Sequence, residues 1–258
     1  MTTVEVTLEE TLSGDELDLT RWIPWYLPHW SSRQASRASL DVKEGELRLF
    51  VPPEQPLWCA DLHEPPLRVS AIQSGCFAGP LGSTIGQQPF KEGLTVREEQ
   101  PVFRGHLQQY GRIEIRMRAT IDAASMVAFW LVGFEDQPER SGEICVAEIF
   151  GSERKGDITH VGMGIHPFRD PALTEEFRKT PLRLDVANDH SYAVDWQSDR
   201  VTFLVDGETV HAVEQSPAYP MQLMIGVFDF HQTPVPQTRS AFIPELTATS
   251  VRGAELKT

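Results

Sequence analysis

Residues 141–151 read SGEICVAEIFG, an apolar β-type run that contains two carboxylates. In a regular strand Glu143 and Cys145 share one face, whereas Glu148 points to the opposite one. A single bulge at residues 146–147 would return Glu148 to the face of Glu143, and bulges are common beside active sites. Carboxylates are costly to bury in an apolar strand unless they are paired or used. The spacing leaves two readings open: a carboxylate pair on one concave surface, or one acid that faces solvent at a sheet edge.

Strand patterns also dominate the sequence on both sides of this segment. Residues 111–119 (GRIEIRMRA) alternate between apolar and mostly charged side chains, which predicts a half-buried strand. Residues 201–213 (VTFLVDGETVHAV) predict a hairpin, because Asp206-Gly207 can supply the two positive φ angles of a type I′ turn. Four further apolar runs fit buried sandwich strands: 126–134, 144–150, 161–165 and 221–230.

These signals indicate an all-β protein. Strands recur at a spacing of roughly 8–12 residues, which is typical of a sandwich or jelly roll. No linker or repeat divides the chain, so we expect one domain over residues 1–258. The pattern favours a single helix that starts within residues 170–177 and ends by Pro181, with Asp170 as its N-cap and Pro171 at its first position.

The composition excludes several classes of partner. The net charge of −14 repels nucleic acid and anionic membranes, so we expect neither as a partner. No apolar stretch is long enough to span a membrane, and the N-terminal residues do not resemble a signal peptide. We therefore expect a cytoplasmic protein, or a secreted one if a leader has been removed. Three cysteines without metal-like spacing do not indicate a disulfide framework.

Paired carboxylates across a cleft are the equipment for glycoside hydrolysis, in which one acts as nucleophile or base and the other as acid. The run Glu143-Ile144-Cys145-Val146-Ala147-Glu148 resembles the Glu-X-Asp-X-X-Glu signature of glycoside hydrolase family 16, in the bulged form of its laminarinase-like members. Flanking segments resemble that family in order and spacing: Leu17-Asp18 with Trp22, Tyr110-Gly111-Arg112, Ala128-Phe129-Trp130, and His190-Ser191-Tyr192 with Trp196. The resemblance covers nearly the whole chain and is weakest over residues 76–105 and after Phe230.

The resemblance implies a concanavalin A-like β-jelly roll, a sandwich of two antiparallel sheets with a concave cleft. It assigns the nucleophile to Glu143 and the acid/base to Glu148, with retention of anomeric configuration and carboxyl groups about 5–5.5 Å apart. The implied activity is endo-hydrolysis of a neutral polysaccharide or oligosaccharide, for which we expect a β-1,3- or β-1,3-1,4-glucan. No organic cofactor is needed. Some relatives bind a structural Ca²⁺, for which no ligands can be identified here, and we expect a monomer.

Cys145 departs from the family pattern, which has Asp at this position, hydrogen-bonded to the nucleophile. A thiol is a weak donor and carries no charge while it is neutral. If Cys145 only packs, the site loses a negative charge and Glu143 should ionise more easily. If the Asp is indispensable, the chain is a poor catalyst or only a sugar binder. Nothing indicates Cys145 as a nucleophile itself, since no activating His is evident nearby.

Aromatic side chains are the candidates for binding sugar rings, whose C–H faces pack on π surfaces. Trp130 resembles a cleft position of the family and is either a platform for a sugar ring or a core residue. His166 resembles a His that follows the catalytic strand in laminarinase-like members, and it is either a sugar ligand or a structural residue. Trp30 is either a distal subsite or packing. Trp196 is expected in the core. Residues 228–231 could line the same cleft. The turn-rich segment 74–105 is either a surface excursion or a loop that walls the cleft.

Two other classes of function stay open. A non-catalytic carbohydrate-binding protein could keep the fold and the cleft, and a transglycosylase could use the same carboxylates. A hydrolase requires both glutamates, Glu143 and Glu148, to converge on one open groove, whereas a lectin does not.

Overall fold

The structure, a computed structural model, describes residues 5–10, 14–230 and 242–255. Strands form nearly all of its regular structure, with two short 3₁₀ helices at Pro28–Trp30 and Gly151–Glu153. The strands are β1 (Glu5–Glu10), β2 (Ser39–Lys43), β3 (Glu46–Phe50), β4 (Leu67–Gln73), β5 (Gly75–Cys76), β6 (Phe103–Arg104), β7 (Leu107–Gln108), β8 (Gly111–Thr120), β9 (Ser125–Gly133), β10 (Glu143–Phe150), β11 (Arg154–Lys155), β12 (Ile158–His166), β13 (Glu176–Arg183), β14 (His190–Trp196), β15 (Val201–Val205), β16 (Glu208–Val213), β17 (Met221–Phe230) and β18 (Glu245–Glu255).

Two large antiparallel sheets contain most of these strands. The first has the order β16-β15-β14-β8-β18-β3-β2, with β1 paired to β18. The second has the order β11-β12-β10-β9-β17-β4, with β13 paired to β12 and β7 to β17. A small additional sheet pairs β5 with β6. The expected all-β sandwich of two antiparallel sheets is confirmed.

The main core lies between the two large sheets. Strand β8 contributes Ile113, Ile115 and Met117 to it, and the residues between them are half-buried or exposed, as their alternation predicts. Strand β9 is buried along its whole length, because both of its faces are covered. Phe129 and its inward neighbours join the main core, whereas Trp130 and its neighbours belong to a second apolar cluster on the other face of the sheet.

The hairpin prediction is confirmed and the helix prediction is wrong. Asp206 and Gly207 connect β15 to β16 with φ angles of 50° and 82°, as a type I′ turn requires. Asp170 instead accepts bonds from the backbone N–H of Ala172 at 2.8 Å and from the Tyr219 hydroxyl at 2.7 Å. These bonds hold the segment as a turn, and β13 begins at Glu176. No helix in the described part of the chain could cross a membrane.

We expect the core between the sheets to provide much of the stability. Phe129 is fully buried there, so Phe129→Ala should lower the free energy of unfolding by about 3–5 kcal/mol, through lost apolar contact and a cavity. Urea denaturation measures this change. Leu81→Ala, at a side chain that is 66% exposed, is the control and should change stability by less than about 0.5 kcal/mol. Equal losses in both variants would contradict the assigned core.

Candidate active site

A bulge in β10 brings both glutamates to one face of the second sheet. Cys145 pairs with Trp130 of β9, and the next pair is Ala147 with Phe129. Val146 therefore has no partner on β9 and is the extra residue of the bulge. Val146 and Ala147 both point into the main core. Glu148 therefore returns to the face of Glu143, as the bulge hypothesis predicts.

The two glutamates line one cleft of about 320 Å³ on the outer face of this sheet. Both side chains are half-buried. Most of the remaining lining is apolar, and it includes five phenylalanines: Phe90, Phe150, Phe168, Phe228 and Phe230. The carboxylates thus converge on one groove, which is the arrangement that a hydrolase requires.

Small residues flank Glu148 on both neighbouring strands. Its partners across the sheet are Gly162 on β12 and Ala128 on β9. A Cβ atom at Gly162 would lie 2.5 Å from Cζ of Phe177 and 3.3 Å from Cβ of Glu148. A side chain at residue 162 would therefore displace the Phe177 ring and crowd Glu148.

Burial raises the pKa of both carboxyls. The pKa of Glu143 rises to about 8 because the group is desolvated and faces the charge of Glu148. Desolvation also raises the pKa of Glu148, while the nearby His166 and Lys179 oppose that rise. Since the two acids interact, they release their protons in separate steps, and between these steps one proton remains on the pair. One ionised and one protonated carboxyl is the state that a retaining mechanism needs.

Gln88 contacts the nucleophile candidate, and sequence analysis did not identify it. Its Nε2 donates to Oε2 of Glu143 at 2.6 Å, and its own backbone N–H donates to Oε1 of Glu135 at 2.8 Å. Glu135 is buried and forms an ion pair with Arg169. The available signal was indirect: Gln88 lies in the turn-rich segment 74–105, whose place in the fold the sequence left open. Through Gln88 and Phe90, this segment walls the cleft.

Cys145 is buried between the two glutamates. Its Sγ lies 3.8 Å from the carbonyl oxygen of Gly162, to which it can donate only weakly. Burial, followed by the charges of Glu143 and Glu148, raises the pKa of the thiol well above its ordinary value. A neutral thiol is a poor nucleophile, so the geometry agrees with a packing role for Cys145.

The predicted binding residues have different surroundings. Trp130 lines the cleft, and its Nε1 donates to Oε1 of Gln88 at 3.5 Å. The prediction that Trp30 contacts a sugar is wrong, because it is fully buried and its indole N–H donates to the carbonyl of Gln87 at 2.7 Å. Trp30 therefore fixes the backbone next to Gln88. Trp196 lies in the core, as expected.

His166 on β12 is the direct cross-strand partner of Glu143 on β10. Its Nδ1 is 2.8 Å from Oε1 of Glu175, and its ring stacks on Phe177 with the centroids 4.7 Å apart. These contacts orient the imidazole beside the carboxylate pair, and its bond to a sugar stays a prediction. Of residues 228–231, Phe228 and Phe230 line the cleft, whereas His231 is outside the described residues.

The sequence assigns no residue to a metal site. Among the residues that the structure describes, no three His, Cys, Asp or Glu side chains are grouped as a metal site.

Comparison with known proteins finds one matching family and several similar folds. Residues 102–240 match the sequence pattern of "Glycosyl hydrolases family 16". An endo-β-galactosidase from Clostridium perfringens that releases GlcNAcα1-4Gal is similar in fold, with a TM-score of 0.80 at 22% identity over 98% of this chain. The chain spans 62% of that structure. The catalytic domain of an endo-1,3-β-glucanase from Thermotoga petrophila RKU-1 is covered completely, with a TM-score of 0.67 at 15% identity. None of the curated protein sequences matches the chain.

The raised pKa of Glu143 has a consequence for stability. Between its ordinary value of 4.5 and about 8, the unfolded chain has released a proton that the folded chain retains. Stability therefore falls as the pH rises through this window. Glutamine does not titrate, so Glu143→Gln is free of this loss. The free energy of unfolding of Glu143→Gln minus that of wild type should therefore increase between about pH 5 and about pH 8.

Urea denaturation at both pH values measures this difference, with Glu139→Gln at an exposed position as the control. A difference between Glu143→Gln and wild type that stays constant across the window would contradict the raised pKa of Glu143.

Proposed function

Because the chain belongs to glycosyl hydrolase family 16, we propose that its Phe-lined cleft performs retaining endo-hydrolysis of a β-linked glycan, with Glu143 and Glu148 as the reacting groups. The observation that carries this proposal is the β10 bulge, which turns both carboxyls into one cleft. In a protein that only binds carbohydrate, two desolvated acids in the groove would lower stability without serving a reaction. The proposal needs no organic cofactor and treats the chain as a monomer.

Two displacements make up the reaction. Ionised Glu143 attacks the anomeric carbon, while protonated Glu148 gives its proton to the departing glycosidic oxygen. The product of this step is a glycosyl ester on Glu143 and a free sugar hydroxyl. Glu148 then removes a proton from water, which attacks the anomeric carbon and releases Glu143 as a carboxylate. Transfer to another sugar hydroxyl instead of water would make the same site a transglycosylase.

The lining of the cleft favours a neutral sugar. Trp130 and the phenylalanines offer aromatic faces on which C–H surfaces of sugar rings can pack. Phe150 and Phe230 are stacked with centroids 5.9 Å apart, and Phe168 continues the apolar surface to solvent. For this surface we propose β-1,3- or β-1,3-1,4-glucan as the substrate, as in the laminarinase-like relatives.

A β-galactoside is the second candidate. The fold similarity to the Clostridium endo-β-galactosidase, with a TM-score of 0.80, is higher than the 0.67 for the Thermotoga glucanase. The axial O4 of galactose also leaves carbons 3, 4 and 5 as a continuous apolar face, which suits a cleft lined by phenylalanine. The glycan released or cut would then carry internal β-galactosidic linkages.

Reducing-sugar release distinguishes these substrates. The panel consists of laminarin, lichenan, xyloglucan, agarose and poly-N-acetyllactosamine, and proton NMR of the first product reports the anomer. We expect Glu143→Gln to abolish release and Glu148→Gln to lower kcat by about 10²–10⁴-fold, because proton transfer contributes that much. Glu139→Gln, which is exposed and outside the cleft, should match wild type.

The outcomes separate the proposals. Release from laminarin or lichenan supports the glucanase, and release from poly-N-acetyllactosamine alone supports the galactosidase. An inverted first product would contradict the retaining mechanism. If calorimetry detects binding of a polymer that wild type never cleaves, the chain is a carbohydrate-binding protein. Activity gained in Cys145→Asp would then place the defect at residue 145.

A further inference from the structure

The amide of Gln88 has one orientation that satisfies both of its neighbours. An indole N–H can only donate, so the 3.5 Å contact with Nε1 of Trp130 requires the amide oxygen on that side. The amide nitrogen then faces Glu143, and its 2.6 Å bond to Oε2 can only be a donation. A donor in this position favours the carboxylate over the carboxylic acid.

The backbone of Gln88 is held in an uncommon conformation at this contact. Its φ angle is 44°, in the left-handed region that residues other than glycine rarely adopt. Glu135, which accepts the Gln88 backbone N–H, has a φ angle of 57°. Two such residues that bond each other beside a reacting group are typical of strain retained at a functional site.

Buried groups fix this arrangement from behind. The Glu135 carboxylate accepts from both Gln88 and Arg169, although burial raises the pKa of Glu135 to about 7. On the other side, the carbonyl of Gln87 accepts from Trp30 at 2.7 Å, and Nε2 of His29 lies 3.1 Å from it. The segment that presents Gln88 is therefore bonded to two separate parts of the protein.

We propose that Gln88, held by Trp130 and by the Glu135–Arg169 ion pair, is a positioning residue that favours the ionised form of Glu143 and aims its carboxylate into the cleft. It supplies from another segment of the chain the hydrogen bond that Cys145 cannot give. This inference rests on the proposed function, because it assigns a purpose to an ionised Glu143.

Other charges around Glu143 oppose its ionisation. Glu148 faces it from the same strand, Glu135 from the β9–β10 connection and Glu175 from the segment before β13. His166 on β12 is paired with Glu175. Arg169 is paired with Glu135. The hydrogen bond from the Gln88 amide acts against these charges and lowers the pKa of Glu143.

The ionisation of Glu143 can be measured without a substrate. In protein labelled with ¹³C at the glutamate carboxyls, the Glu143 resonance is assigned by its loss in Glu143→Gln. We expect Gln88→Met to raise the pKa of Glu143 by about 1–2, since a hydrogen bond to a charged group is lost. Gln137→Met, at an exposed glutamine, is the matched control and should leave the titration as in wild type.

Activity on the polymer that wild type cleaves gives a second measurement. Gln88→Met should lower kcat by about 10–100-fold at pH values below the wild-type pKa of Glu143, with KM unchanged and the acid limb of the profile moved to higher pH. Glu135→Gln should have a smaller effect of the same kind. The double variant should lose less than the two single losses combined, because the residues act in one network.

A second substitution separates the amide from the backbone. Asparagine tolerates the left-handed region better than glutamine, so Gln88→Asn should fold, but its shorter side chain cannot reach Glu143. We expect Gln88→Asn to titrate as Gln88→Met does. If the Glu143 resonance titrates as in wild type in both variants, the positioning role is overturned, whatever the activity. If wild type cleaves no polymer but the titration moves, the proposed function fails and the positioning role stands.

Discussion

The bulge at Val146 and Ala147 is the constraint on which the site depends. Two successive side chains enter the core there, so the strand supplies its apolar contacts without interruption and still presents both glutamates on the outer face. Strict alternation would have buried Glu148 in the core between the sheets. One extra residue therefore reconciles the packing of the sandwich with a pair of carboxyls in one cleft.

Placing that pair in an apolar cleft has opposite effects on stability and chemistry. Desolvation disfavours the ionised carboxyls, which costs stability at neutral pH. The same low polarity strengthens the hydrogen bond from Gln88 and keeps one proton on the pair, as the displacement requires. A site of this kind is expected where function, and not stability, selects the residue. Glu135 carries the same desolvation cost, because its carboxyl is buried while its partner Arg169 is exposed.

The loops on the outer face decide which side chains meet the cleft. The sequence makes both Trp30 and Trp130 candidates for sugar binding. In the structure Trp30 is buried under the segment that carries Gln88, whereas Trp130 lines the cleft. Residue type alone could not separate them, because an indole suits both a core and a sugar platform. The sequence around Asp170 is ambiguous in a similar way. Its capping side chain serves a turn and the hydroxyl of Tyr219 instead of a helix.

The sequence by itself determined the all-β class, the β15–β16 hairpin and the two candidate glutamates, and it offered the bulge as one of two readings that the structure then decided. These follow from periodicities and turn residues that act over a few neighbouring positions. Only the tertiary structure decided that Gln88 reaches Glu143, that Glu135 supports it, and that Trp30 is buried. Gln88 and Glu143 are 55 positions apart in the chain, and no local pattern encodes a hydrogen bond between them. Such contacts arise when loops from distant strands pack over one sheet, where burial and geometry select the partners.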